Sequence, residues 1–116
     1  MKFLLLVCWG ADDMNAQPEP DPADAVPEES FPWLDDLRER GMWVTGDQLA
    51  PPRRARSVRV RDGTAVVTDG PFAETKEAVG GFDIIDCGSL EEAVAIAAGH
   101  PVARIGTIEV RPLRGN

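Results

Sequence analysis

The stretch GGFDIIDCGSLEEAVAIAAGHP, residues 80–101, changes its hydrophobic period half-way along. Phe82 to Cys87 is a short, mostly apolar run bounded by glycines, the pattern of a buried strand. From Ser89 the spacing becomes helical, with Leu90, Ala93, Val94, Ile96 and Ala97 recurring three and four residues apart. Ser89 and Glu92 form a capping box, which predicts a helix start at Leu90. Gly99 ends that helix and Pro101 prevents its continuation. A last strand follows from Thr107 to Pro112, alternating Ile108 and Val110 against Glu109 and Arg111.

Moving N-terminally, Asp69-Gly70-Pro71-Phe72 is a turn and Asp62-Gly63 another. The second lies between Ser57–Arg61 and Thr64–Thr68, two strand-like runs, and an Asp-Gly pair in that setting is a strong hairpin signal. Val58 and Val60 share one face of the hairpin, Arg59 and Arg61 the other. Before it, residues 2–9 form an apolar run suited to a central strand. A helix is predicted over Phe31 to Arg40, with Ser30 as cap, Pro32 in the first turn, an Asp36–Arg40 pair and a left-handed stop at Gly41. Met42 to Leu49 reads as a strand ended by Pro51-Pro52. The order is β-α-β, hairpin insert, β-α-β. This split pattern predicts an α+β, ferredoxin-like antiparallel sheet with both helices on one face. The strands Phe3–Val7 and Phe82–Ile85 are apolar at nearly every position, so the other face needs a cover as well. A second copy of the chain is the expected cover, making a homodimer.

With 116 residues, 43% hydrophobic and 28% charged, one domain is expected across 1–116. The net charge of −8 is local: residues 11–29 carry seven acids and no Lys or Arg, and the rest of the chain is near −1. That segment also holds Pro18, Pro20, Pro22 and Pro27 and reads as an extended loop. The cluster Arg53, Arg54, Arg56, Arg59, Arg61 is short and lacks interleaved aromatics, so no nucleic-acid partner is expected. Phe3 to Trp9 is far short of the ~20 residues that span a bilayer, and no cleavage signal follows it. Neither membrane association nor export is expected, and Cys8 and Cys87 read as reduced core thiols.

The run Val67-Thr68-Asp69-Gly70-Pro71-Phe72-Ala73-Glu74-Thr75-Lys76-Glu77, followed by Gly80-Gly81-Phe82 and closed by Ile108-Glu109-Val110-Arg111-Pro112, resembles the DGPF proteins of the YCII-related domain family. The resemblance extends from Met1–Leu6 through Gly41–Pro52 to His100-Pro101. It implies a ferredoxin-like domain paired through its sheets into a dimeric α/β barrel, and a bacterial cytoplasmic protein. Some YCII-like relatives are thought to be enzymes with a His–Asp pair in the cleft, and some DGPF proteins are associated with extracytoplasmic-function sigma factors. The family's histidine at the start of the first helix matches Ser30 here. Its late Asp-Pro matches His100-Pro101. This chain therefore lacks the dyad in that arrangement.

Candidate site residues follow from chemistry. His100 is the only histidine, hence a candidate general acid or base, or else a C-capping imidazole. Asp69 is a candidate base or a turn stabiliser. Glu74, Lys76 and Glu77 form a charged cluster, either a ligand site or surface ion pairs. Arg59 is a candidate clamp for a carboxylate. Ser30 is a helix cap before it is a nucleophile. One histidine and two separated cysteines do not make a metal site, and no phosphate loop is present, so neither metal nor cofactor is expected. Two functions are consistent with this inventory: a cofactor-independent small-molecule enzyme or ligand-binding dimer with a cleft between sheet and helices, or a non-catalytic regulatory interaction module.

Overall fold

The nine-residue strand β1 (Lys2–Gly10) organises the chain, because its alternate side chains Phe3, Leu5 and Val7 are all buried. A computed structural model describes residues 1–18 and 31–116. After β1 come α1 (Ala11–Asn15), α2 (Pro32–Glu39), β2 (Trp43–Gln48), a 3-10 turn at Pro52–Arg54, β3 (Arg56–Arg61) and β4 (Thr64–Asp69). Then follow β5 (Glu77–Asp86), α3 (Leu90–Ala98), a second 3-10 turn at Pro101–Arg104 and β6 (Thr107–Pro112). The main sheet runs β2-β5-β1-β6 with every neighbour antiparallel, and β3 and β4 form a separate hairpin. This is the α+β, ferredoxin-like arrangement expected from the split pattern.

One face of the sheet is sealed. Phe3, Leu5 and Ile85 pack with Leu37 of α2 and with Ala93 and Ala97 of α3. Small residues on α3 let that helix approach the sheet closely. The opposite face carries Leu4 and Leu6 of β1 beside Ile84 of β5, all only partly buried, with Glu109 and Arg111 of β6 alongside.

Local signals act as their chemistry dictates. The Ser89 side chain accepts the Glu92 N–H, while the Glu92 carboxylate accepts the N–H of Gly88, one residue earlier than in the usual reciprocal box. Asp36 and Arg40 pair at 3.1 Å, and Gly41 takes φ +69°. Asp62 and Gly63 both have positive φ, the two-residue turn whose twist matches its strands.

Two expectations need correction. The loop read from residue 11 begins as helix α1, because Met14 is drawn into the core, 2% exposed, while Arg53 hydrogen-bonds Asn15 and Gln17 from the first 3-10 turn. The remainder of that loop, and the expected cap at Ser30, lie outside the described residues; α2 has Phe31 at its N-cap, without a side-chain cap bond. Strand β5 begins at Glu77 instead of Phe82, since β1 runs to Gly10 and its backbone groups require partners over that length. The longer pairing absorbs a bulge opposite Val7 and Cys8. Gly99 ends α3 as expected, in a right-handed conformation, and a separate 3-10 turn follows from Pro101.

Candidate functional site

At one end of the helix-covered face, side chains stop filling the space and a cavity of about 810 Å³ opens. It is bounded by Val7 and Trp9 of β1, Met14 of α1, Phe31 and Leu34 around the start of α2, Trp43 and residues 46–49, residues 80–83 of β5, and the turn at residues 100–102. Glycine makes the room. A Cβ at Gly80 would lie 2.6 Å from the Trp9 indole nitrogen and 2.7 Å from the Met14 methyl. One at Gly46 would lie 2.5 Å from Asp83 Oδ1.

Three ionisable side chains line this cavity among the described residues: Asp47 at its exposed edge and, from distant parts of the chain, the more buried Asp83 and His100. Asp83 alternates with Ile85 along β5 and therefore faces the helices, opposite Leu5 and Gly46 in register. Its Oδ1 accepts the Trp43 indole N–H at 2.9 Å. The Trp43 ring carries the Arg38 guanidinium 4.7 Å from its centroid. Burial holds the Asp83 carboxyl above the ordinary carboxylate range, opposed by the Trp43 hydrogen bond and by the charge of His100.

His100 is 7% exposed, and its position is over-determined. Nδ1 accepts the Val102 N–H at 3.0 Å and so caps the 3-10 turn. The ring stands edge-on to Trp33 and Phe31, centroids 4.7 and 5.6 Å away, and those two rings stack on each other. Trp33 is itself tied to α3 through its N–H and the Ile96 carbonyl, 2.8 Å. Burial lowers the imidazole below its ordinary range, against the pull of Asp83. The capping bond acts the same way, because a proton on Nδ1 would point at the Val102 N–H. The neutral ring thus carries its proton on Nε2. Nε2 makes no hydrogen bond among the described residues, and no fully buried side-chain nitrogen or oxygen there lacks a partner, so this N–H is reachable from solvent-accessible space.

Among the described residues, His100 is the one sequence-level candidate that lines the cavity. Asp69 sits at the base of the hairpin, its carboxylate 3.1 Å from Arg56 and largely exposed. Arg59, Glu74, Lys76 and Glu77 are exposed and outside the lining. The Asp69–Phe72 turn closes the hairpin base instead: the Gly70 N–H reaches the Ala55 carbonyl at 2.8 Å, and Ser57 Oγ donates to the Gly70 carbonyl at 2.8 Å. Asp83, Trp43 and Phe31 went unnoticed in the sequence. The available signal was an aspartate on the Ile85–Cys87 side of an apolar strand. Among the described residues, no three His, Cys, Asp or Glu side chains gather as metal ligands, and no helix is long and apolar enough to cross a membrane.

Over 68 residues the chain is 47% identical to an uncharacterised protein of Rhizobium meliloti (strain 1021). The match covers 57% of this chain and 55% of that protein, so the chain spans about half the length of this relative. The model of the YCII-related domain matches residues 1–115, and the chain belongs to the YCII-related domain family.

Proposed function

We propose that this chain is a cofactor-independent small-molecule enzyme that moves a proton on a carbon next to a carbonyl, acting as a homodimer paired through the uncovered sheet face. The observation that carries the reading is the pairing of an accessible carboxylate, Asp83, with a neutral imidazole, His100, on one largely apolar cavity. The ionised Asp83 takes a proton from carbon. The substrate carbonyl oxygen accepts the Nε2–H of His100 and gains negative charge as the enolate forms. Asp83, now a carboxylic acid, returns the proton to the same carbon or to a conjugated one. The neutral imidazole matters because it donates without first having to lose a proton. Placement of a carboxylate in partly apolar surroundings raises its basicity for this task.

The test follows deuterium uptake from D₂O into the methyl group of 2-acetylnaphthalene and related aryl ketones by NMR. The wild-type chain is expected to accelerate uptake over buffer. Asp83→Asn should lose about 10²-fold or more of that acceleration, and His100→Asn, which keeps an oxygen to cap Val102, about 10²-fold. The rate should fall on the acid side at a pH above 3.8, the ordinary value for an aspartate, because burial raises this one. The folded carboxylate is costly to ionise, so Asp83→Asn should also raise the melting temperature at neutral pH by on the order of a few degrees, with the gain vanishing below pH 3.8 where both folded and unfolded chains are protonated. Uptake unchanged by Asp83→Asn would end the proposal.

One observation favours a second reading. The hairpin projects Val58, Val60 and Val67, each more than half exposed, and the neighbouring Phe72 is 84% exposed. A non-catalytic regulatory module, in keeping with the association of some DGPF proteins with extracytoplasmic-function sigma factors, would use such a surface to hold a protein partner.

A further inference from the structure

We infer that the cavity selects an uncharged or cationic ring compound and rejects carboxylates and phosphates. The inference rests on the proposed use of this cavity as a substrate site, but it concerns what the walls attract and not what reaction follows.

Charge decides the first half. Among the described residues the lining holds two carboxylates, Asp83 inside and Asp47 at the exposed edge, and no Lys or Arg. The guanidinium of Arg53 is held by the carbonyls of Asn15 and Gln17 at 3.2 and 3.1 Å. Arg38 sits over the Trp43 ring at 4.7 Å and lies outside the lining. At neutral pH His100 supplies no compensating charge, since burial holds the imidazole below its ordinary range and its Nδ1 accepts a backbone N–H. An anion entering here would lose its water and meet like charge with nothing to neutralise it.

Shape decides the second half. Trp9, Phe31 and Trp43 contribute aromatic surface around an apolar floor of Val7, Met14 and Leu34. Flat aromatic walls reward a planar ligand by stacking and a cation by attraction to the ring faces. A cation gains further from Asp83, and an uncharged ketone gains the Nε2–H of His100. The polar contacts are few and the apolar ones many, which fits a molecule with one hydrogen-bonding group on a ring system.

Three probes on one scaffold test the inference: 2-acetylnaphthalene, 2-naphthylmethylammonium and 2-naphthoate. Binding is followed on ¹⁵N-labelled protein by the indole N–H resonance of Trp43, assigned by its disappearance in Trp43→Phe. The neutral and cationic probes are expected to bind at least about tenfold more tightly than the anion. Asp83→Asn should shrink that gap by strengthening naphthoate binding. Asp47→Asn, a change at an exposed edge, should shrink it to a smaller extent and serves if the first variant folds poorly. Naphthoate binding as tightly as the other two, or none of the three moving the Trp43 signal, would overturn the inference. Selective binding without deuterium uptake would instead remove the proton-transfer reading and leave the ligand class standing.

Discussion

Val7 in β1 and Val58 in β3 lie in runs that both suit extended strands, yet one is 7% exposed and the other 63%. β1 is covered because α2 and α3 lay Leu37, Ala93 and Ala97 across it. Among the described residues β3 pairs only with β4, and Val58 and Val67 face each other across the hairpin with no third layer above them. A two-stranded ribbon of this kind has little stability of its own. The difference teaches that alternation specifies a strand, whereas a core requires another element to arrive on the apolar side. It also separates two duties within the molecule. The sealed face holds the cavity, and the surfaces without a cover are the ones available to a second chain.

The contrast breaks or sharpens under substitution. Leu37→Ala, on the sealed side, should cost about 2–5 kcal/mol in urea unfolding, since α2 cannot close over the gap; a cost under about 1 kcal/mol would mean that the helix adds little to the seal. Leu6→Arg, on the uncovered side of the same strand, should convert the proposed dimer to a monomer in sedimentation velocity while the cavity still binds its probe. A wild-type chain that sediments as a monomer at micromolar concentration would remove the dimer altogether. Smallest of all, Val58→Thr with Val67→Thr should change stability by about 0.5 kcal/mol or less per site, because those methyl groups are already wet. A large loss would place the hairpin inside an assembly and erase the distinction between the two regions.

Protonation divides along the same line. Asp83 and His100 line the cavity of the sealed side, and burial pushes them in opposite directions, the carboxyl up and the imidazole down. Raising pH from 3.8 charges Asp83 in the unfolded chain first and weakens the fold until the folded carboxyl has titrated. Lowering pH from 6.5 protonates His100 in the unfolded chain first and also weakens the fold. Each effect is the cost of keeping an ionisable side chain in a partly apolar cavity.

Much of the fold was legible in the residues. The capping box placed α3 to the residue at its start, Asp62-Gly63 placed the hairpin turn, and Gly41 placed the end of α2. The site was legible only in part. His100 stood out because no other histidine exists. Asp69 and Asp83 look alike locally, each an aspartate beside strand-forming residues. Only register separates them: Asp83 lies opposite Leu5 and Gly46, inside the helix-covered face, whereas Asp69 lies opposite Arg56 at the foot of the hairpin. Likewise α1 was obscured by the acids and prolines around it, and its reason for forming is the distant core that receives Met14.

The amino-acid sequence by itself determined which segments become strands, helices and turns, because caps, left-handed glycines and hydrophobic periods act between residues a few positions apart. Tertiary structure alone decided which polar groups share a cavity. The Trp43–Asp83 bond spans 40 residues and the Trp33–Ile96 bond 63, and both depend on how the sheet is ordered and how the helices are laid over it. No local pattern encodes such a meeting. It arises when a covered sheet face leaves room at one end for a carboxylate and an imidazole.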